Sequence, residues 1–153
     1  MKKAIYILLA IAVLWFVFLG DNHASLGPGV LAPNPPKQVK IISPKSFSFK
    51  DYTITPLAKF HIESKVLSKT NYNWGRESDL SPVDLALGWG KMSDERVLDS
   101  IDILQSNRWY RWRTDKFPIP RREIETHSAN MHLIPANRGA DPRASQETRV
   151  LAP

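Results

Sequence analysis

The side chains best suited to acid–base work or to holding a hard cation are His127 and His132, in HSANMHLIPAN, and Asp79 and Asp84, in GRESDLSPVD. Imidazoles change charge near neutral pH, and carboxylates orient them or offer oxygen ligands. The spacing discourages a ready-made site. Five residues of separation put the two histidines on opposite faces of a strand, and it is not the i, i+4 spacing that aligns ligands on a helix. Convergence of His127, His132 and either Asp79 or Asp84 would make a hydrolase or nuclease; Asp84 is also simply the dipole-favoured third residue of a capped helix.

The motifs that would identify an enzyme directly are absent. The chain has no cysteine, which excludes a thiolate nucleophile, a CxxC redox pair and zinc–thiolate sites. It contains no phosphate loop, GxGxxG or HExxH, and Ser128 lacks the glycines of a nucleophile elbow. No catalytic residue, cofactor or metal is therefore assigned. Candidate contact residues for a partner are Trp89, flanked by two glycines, Arg121 and Arg122 after Pro118-Ile119-Pro120, and Asn130. His61, among Lys59, Glu63 and Lys65, reads as a solvated histidine.

RWYRWR, residues 108–113, interleaves three aromatic rings with three guanidinium groups, a composition that suits single-stranded nucleic acid. Charge placement argues the other way. The formal charge is +6, but residues 51–137 carry 12 basic and 12 acidic side chains, so the excess sits at the ends of the chain. Alternation in a strand instead sends Tyr110 and Trp112 inward and leaves Arg111 and Arg113 wet.

These residues need a scaffold, and the patterning predicts a small α+β domain over 39–137. Residues 57–69, LAKFHIESKVLSK, alternate as a half-buried strand with Phe60, Ile62, Ser64 and Val66 on one face. Val39–Ile42, RWYRWR and Asn130–Ile134 are further strand candidates. SPVDLALG, residues 81–88, has an N-cap serine, a proline at the first helical position and a terminal glycine, which predicts a short helix with Trp89 folding back on Val83. A second helix is predicted from Ser93, with Val97, Leu98, Ile101 and Leu104 as its apolar stripe.

The N-terminus places the domain. Lys2 and Lys3 precede an uncharged, apolar run from Ala4 to Gly20, long enough as a helix to cross a bilayer at roughly 25 Å. Its exit passes through Trp15, Phe16 and Phe18, and the nearest Ala-ending site, Asn22-His23-Ala24, has asparagine where a small residue is wanted, which favours an uncleaved signal anchor over residues 1–20 above the rival, a cleaved secretory signal. The lysines predict the N-terminus inside and the body outside, in a bacterium an inner-membrane protein with a periplasmic domain. Residues 21–38, with four prolines, read as a spacer able to hold the body some tens of Å away, at about 3.1 Å per residue. Residues 138–153 have too few apolar side chains to join a core and are expected to be disordered.

The run YNWGRESDLSPVDLALGWGKMSD, together with RWYRWR and IETHSANMHLIPAN, resembles a family of uncharacterised bacterial membrane-anchored proteins, over roughly Phe47 to Asn137. That resemblance implies one N-terminal transmembrane helix, no established activity and no catalytic residue. It also implies that relatives continue past Ile134-Pro135-Ala136 with strand-like sequence, which residues 138–153 do not match. The function expected from the whole sequence is non-catalytic binding of another protein or a cell-envelope component. The rivals are the His/Asp hydrolase or nuclease and a nucleic-acid-binding envelope protein, the latter disfavoured by the charge balance.

Overall fold

The computed structural model describes residues 28–134, so the predicted anchor at 4–20 and the tail at 138–153 lie outside the described residues. No helix among the described residues is long and apolar enough to cross a membrane. The chain runs β1 (Lys37–Lys40), β2 (Phe47–Phe49), β3 (Tyr52–Ile54), β4 (Ala58–His61), β5 (Lys65–Asn71), α1 (Arg76–Leu80), β6 (Val83–Gly88), a 3-10 turn (Gly90–Ser93), α2 (Glu95–Leu98), β7 (Asp102–Ser106), β8 (Trp109–Arg113), α3 (Arg121–Thr126) and β9 (Ser128–Leu133). This is a sheet-rich domain with a few short helices, in keeping with an α+β class. All strand pairs are antiparallel: β1 with β4, β2 with β3, β7 with β8, and a central three-stranded sheet in the order β5-β6-β9.

The segment 81–88, expected to be a helix, is instead the central strand β6, and all six of its residues are buried. Hydrogen-bonded on both edges and covered on both faces, such a strand reads as a continuous apolar run, so its period is invisible in sequence. Ser81-Pro82 mimics a helix start, and the helix propensities of Leu and Ala are too weak to outweigh two ladders. Val83, Leu85 and Leu87 face one apolar cluster with Ala32, Ile62 and Trp89, against which Phe60, Met131 and Leu133 pack.

A second cluster gathers Met92, Ile101, Ile119 and Ile124, with Val97, Leu98, Ile103 and Trp112 packed on it. The helix predicted from Ser93 shrinks to the four residues of α2, capped by Asp94, whose side chain accepts from the Arg96 N–H at 3.0 Å. Ile101 comes just before β7, Ile103 belongs to that alternating strand, and Leu104 of the supposed stripe is exposed.

The strand read across 57–69 is two strands. The chain leaves β4 at His61, and β5 shifts register between Val66 and Ser68. That bulge turns Leu67 onto the second cluster and leaves Val66 exposed, reversing the expected phase. The expected spacer is docked in part: Ser93 Oγ accepts from the N–H groups of Leu31 (3.1 Å) and Ala32 (3.0 Å), Asp94 Oδ1 accepts from Gly29 N–H (3.2 Å), and Ala32 is buried. Prolines prevent a ladder there, but the intervening N–H groups find side-chain acceptors instead.

Candidate functional site

Alternation along β6 directs Asp84, Ala86 and Gly88 away from the first cluster, toward the β7–β8 hairpin. The register aligns Thr70 of β5, Asp84 of β6 and His132 of β9 in one row, and Asn130 and Ser128 follow on the same face. This face is polar, and its seam with the hairpin is stitched by side chains. Gln105 Nε2 donates to Asn130 Oδ1 at 2.8 Å, Asn130 Nδ2 to the Arg108 carbonyl at 3.0 Å, and Thr70 Oγ1 to Gln105 Oε1 at 3.1 Å. Tyr110 OH reaches Ser128 Oγ at 3.2 Å, and burial pushes the Tyr110 phenol above its ordinary pKa while that hydrogen bond pulls the other way.

Asp84 is wholly buried at the centre of the row. Its Oδ1 accepts from His132 Nδ1 at 2.7 Å and from Arg108 Nη1 at 3.1 Å, while Oδ2 is buried with no hydrogen-bond partner among the described residues. Arg108 also meets Glu77 Oε2 through Nε at 3.2 Å and lies over the Tyr72 ring at 4.2 Å. Sharing one carboxylate oxygen between two donors holds both the Arg108 and His132 side chains in fixed orientation.

The backbone at Arg108 is part of the arrangement. Asn107 and Arg108 form the two-residue turn between β7 and β8, with φ of 50° and 63°. Such hairpin turns ask for positive φ at both positions, which Asn tolerates and which Gly usually supplies at the second. Arginine there is strained, and it persists because its surroundings over-determine it: the amide donates to Tyr72 OH at 3.0 Å and the guanidinium is held by Asp84 and Glu77. Arg108 therefore leaves the strand predicted for RWYRWR, which begins at Trp109.

Above this cluster opens a groove of about 960 Å³, walled by Tyr52, Arg76, Trp109 and Ile134 and floored by Arg108, Asn130 and His132. With Nδ1–H donated to Asp84, the other ring nitrogen of His132 is the one left for the groove. No group of three or more His, Cys, Asp or Glu side chains among the described residues is placed to share a metal ion.

The sequence candidates divide sharply. His132 and Asp84 come together; His127 does not join them. Its Nδ1 lies 2.9 Å from the Glu123 carbonyl and its ring packs over Gly90, where a Cβ would sit 2.4 Å from the imidazole. Asp79 faces Lys50 at 3.7 Å rather than the cluster. Trp89 is buried with the first cluster and so presents no face to a partner, because its N–H is tied to the His127 carbonyl and its ring fills core space. Arg121 and Arg122 are exposed on α3, the former paired with Glu125 at 2.8 Å. Asn130 faces the groove but both ends of its amide are engaged. Sequence reasoning missed Arg108 as a site residue; the signal was the Asn-Arg pair between two alternating segments, a hairpin turn read as strand.

No family model matches the chain, and neither a curated protein nor a solved structure is found to be similar to it.

Proposed function

We propose that the chain is a single-pass membrane protein whose domain, held outside the cytoplasmic face of a bacterial inner membrane, binds a protein or cell-envelope component in the groove above Asp84 without catalysing a reaction. The groove carries this reading. Its floor is already neutralised, since Arg108 is matched by Asp84 and Glu77, so charge alone attracts no ligand there. What remains is the exposed ring of Trp109, the apolar edge of Ile134, the Arg76 guanidinium and the free nitrogen of His132, which together suit an amphipathic ligand with hydrogen-bonding groups beside an apolar face. The anchor rests on residues 4–20 and the flanking lysines.

A photo-reactive residue at Asn107, on the groove wall, tests binding in intact membranes. The expected adduct is lost on Trp109→Ala or Arg76→Ala and absent when the probe sits at Asp99, outside the groove. An adduct indifferent to both substitutions removes the groove from the reading. A reporter fused after Asn137 should be active only outside the cytoplasm, and N-terminal sequencing that begins near Ser25 would contradict the anchor.

One observation favours a second reading, a membrane-tethered hydrolase or nuclease: a buried carboxylate accepting Nδ1–H is the arrangement that makes the opposite imidazole nitrogen a general base. Hydrolysis of ester or phosphodiester probes by the purified chain, abolished in His132→Gln but kept in His127→Gln, would establish it over the binding reading.

A further inference from the structure

The β1–β4 ribbon combines exposed aliphatic side chains with unmatched positive charge. The register pairs Lys37 with His61 and Val39 with Lys59, and Ile41 N–H donates to the Leu57 carbonyl at 2.9 Å, so alternation sets Lys37, Val39, Lys59, His61 and Leu57 on one face. Val39 is 65% exposed, Leu57 72% and Ile42, just past the ribbon, 95%. Residues 28–62 hold five lysines against the single carboxylate of Asp51. Lys50 is matched by Asp79; Lys37, Lys40, Lys45 and Lys59 have no ion pair among the described residues.

If residues 4–20 are the anchor, the length of chain after it keeps this ribbon within reach of the bilayer. Because Gly29, Leu31 and Ala32 are bound to the domain, only eight residues, 21–28, separate Gly20 from this docked segment, a length that spans no more than about 30 Å. β1 then begins five residues after Ala32. Apolar side chains ringed by lysines suit the headgroup boundary of an anionic bilayer, where the ammonium groups meet phosphate and the aliphatic tips bury beneath them.

We propose that the β1–β4 ribbon, with the exposed Ile42 in the segment that follows β1, is a second membrane contact that docks the domain on anionic phospholipid. The proposal rests on residues 4–20 being the anchor. It fixes how the domain stands on the bilayer, whatever the groove binds.

The chain has no cysteine, so a single Ile42→Cys carries a unique polarity-sensitive fluorophore, with Lys116→Cys in the loop after β8 as the reference. The full chain is reconstituted into vesicles of phosphatidylcholine with or without phosphatidylglycerol, each containing a lipid-borne quencher at shallow depth. The expected result is a blue shift and strong quenching at position 42 only with phosphatidylglycerol, reversed by combined Lys37→Glu and Lys59→Glu, and no quenching at position 116. Equal quenching at position 42 in both lipids overturns the electrostatic contact. So does a label at 42 no more quenched than at 116 while the chain resists an alkaline carbonate wash, in which case the anchor stands alone. Oxidation of unlabelled Ile42→Cys to a dimer, with no lipid quenching of the labelled protein, assigns the face to a second copy and likewise overturns the proposal. If the carbonate wash removes the chain, the anchor reading fails, and quenching at position 42 before the wash still supports the ribbon.

Discussion

His132 Nδ1 lies 2.7 Å from Asp84 Oδ1, across a register pair of neighbouring strands, with the aspartate wholly buried and the imidazole half exposed. Because the same oxygen also holds Arg108, removing it strands two donors rather than one. Asp84→Ala is expected to cost about 3–5 kcal/mol, the range for breaking a buried charge pair from one side, whereas Glu77→Gln, whose side chain is largely exposed, should stay within about 1 kcal/mol. Urea unfolding of the two variants compares them directly; equal losses would mean that Asp84 holds nothing Glu77 does not.

Trp112 packs on the second cluster, meets Phe117 edge-on at 6.0 Å between ring centres, and lies under the Arg121 guanidinium at 5.8 Å. Trp112→Ala is expected to destabilise by about 3 kcal/mol, the low end for aromatic truncation because the ring is only partly buried. Arg113→Ala breaks an exposed pair with Asp102 at 3.0 Å, and Arg111 bonds Ser106 at 3.2 Å on an exposed face, so each should cost no more than about 1 kcal/mol. An unchanged melting curve for Trp112→Ala would contradict the packing.

Gly88 ends β6 where no side chain fits. A Cβ there would stand 2.2 Å from the Met92 carbonyl oxygen and 2.9 Å from Leu67 Cδ2, and the former is backbone that must move. Gly88→Ala should cost about 1–3 kcal/mol by overpacking, and it should loosen amide protection across residues 90–93 as the turn is displaced. Hydrogen exchange that is unchanged there would place the strain elsewhere.

Asp94 is expected to make the docking of the N-terminal segment acid-sensitive. The side-chain hydrogen bond from Arg96 lowers its pKa from 3.8 to about 2, against an opposing cost of burial, with the backbone N–H groups of Arg96 and Gly29 adding to the shift. Since the folded pKa lies below the unfolded one, the unfolded chain binds the proton first as pH falls. The contribution is therefore complete above 3.8 and is lost as the pH drops through about 2. Asp94→Asn should flatten the stability profile across that window and weaken exchange protection at Gly29; a profile identical to the parent would assign the acid sensitivity to other carboxylates.

What the sequence determined by itself was local. Alternation in 109–113 correctly separated Tyr110 and Trp112 from Trp109, Arg111 and Arg113, because a half-buried hairpin strand leaves its period in the residue types. The strand around Asn130–Leu133 and the mixed, sheet-rich class were legible for the same reason. The tertiary structure decided the rest. Helix caps at Ser81 and Ser93 were outweighed, since a strand enclosed on both edges and both faces gains two ladders, and Ser93 serves a distant segment as acceptor instead. The candidate site was half visible: Asp84 and His132 stood among the candidates, but they lie 48 positions apart in the chain, and only the β6–β9 register makes them neighbours. Arg108 joined them through a strained turn, and His127 was drawn away to its own helix end, outcomes that depend on pairing between distant segments and so leave no local trace.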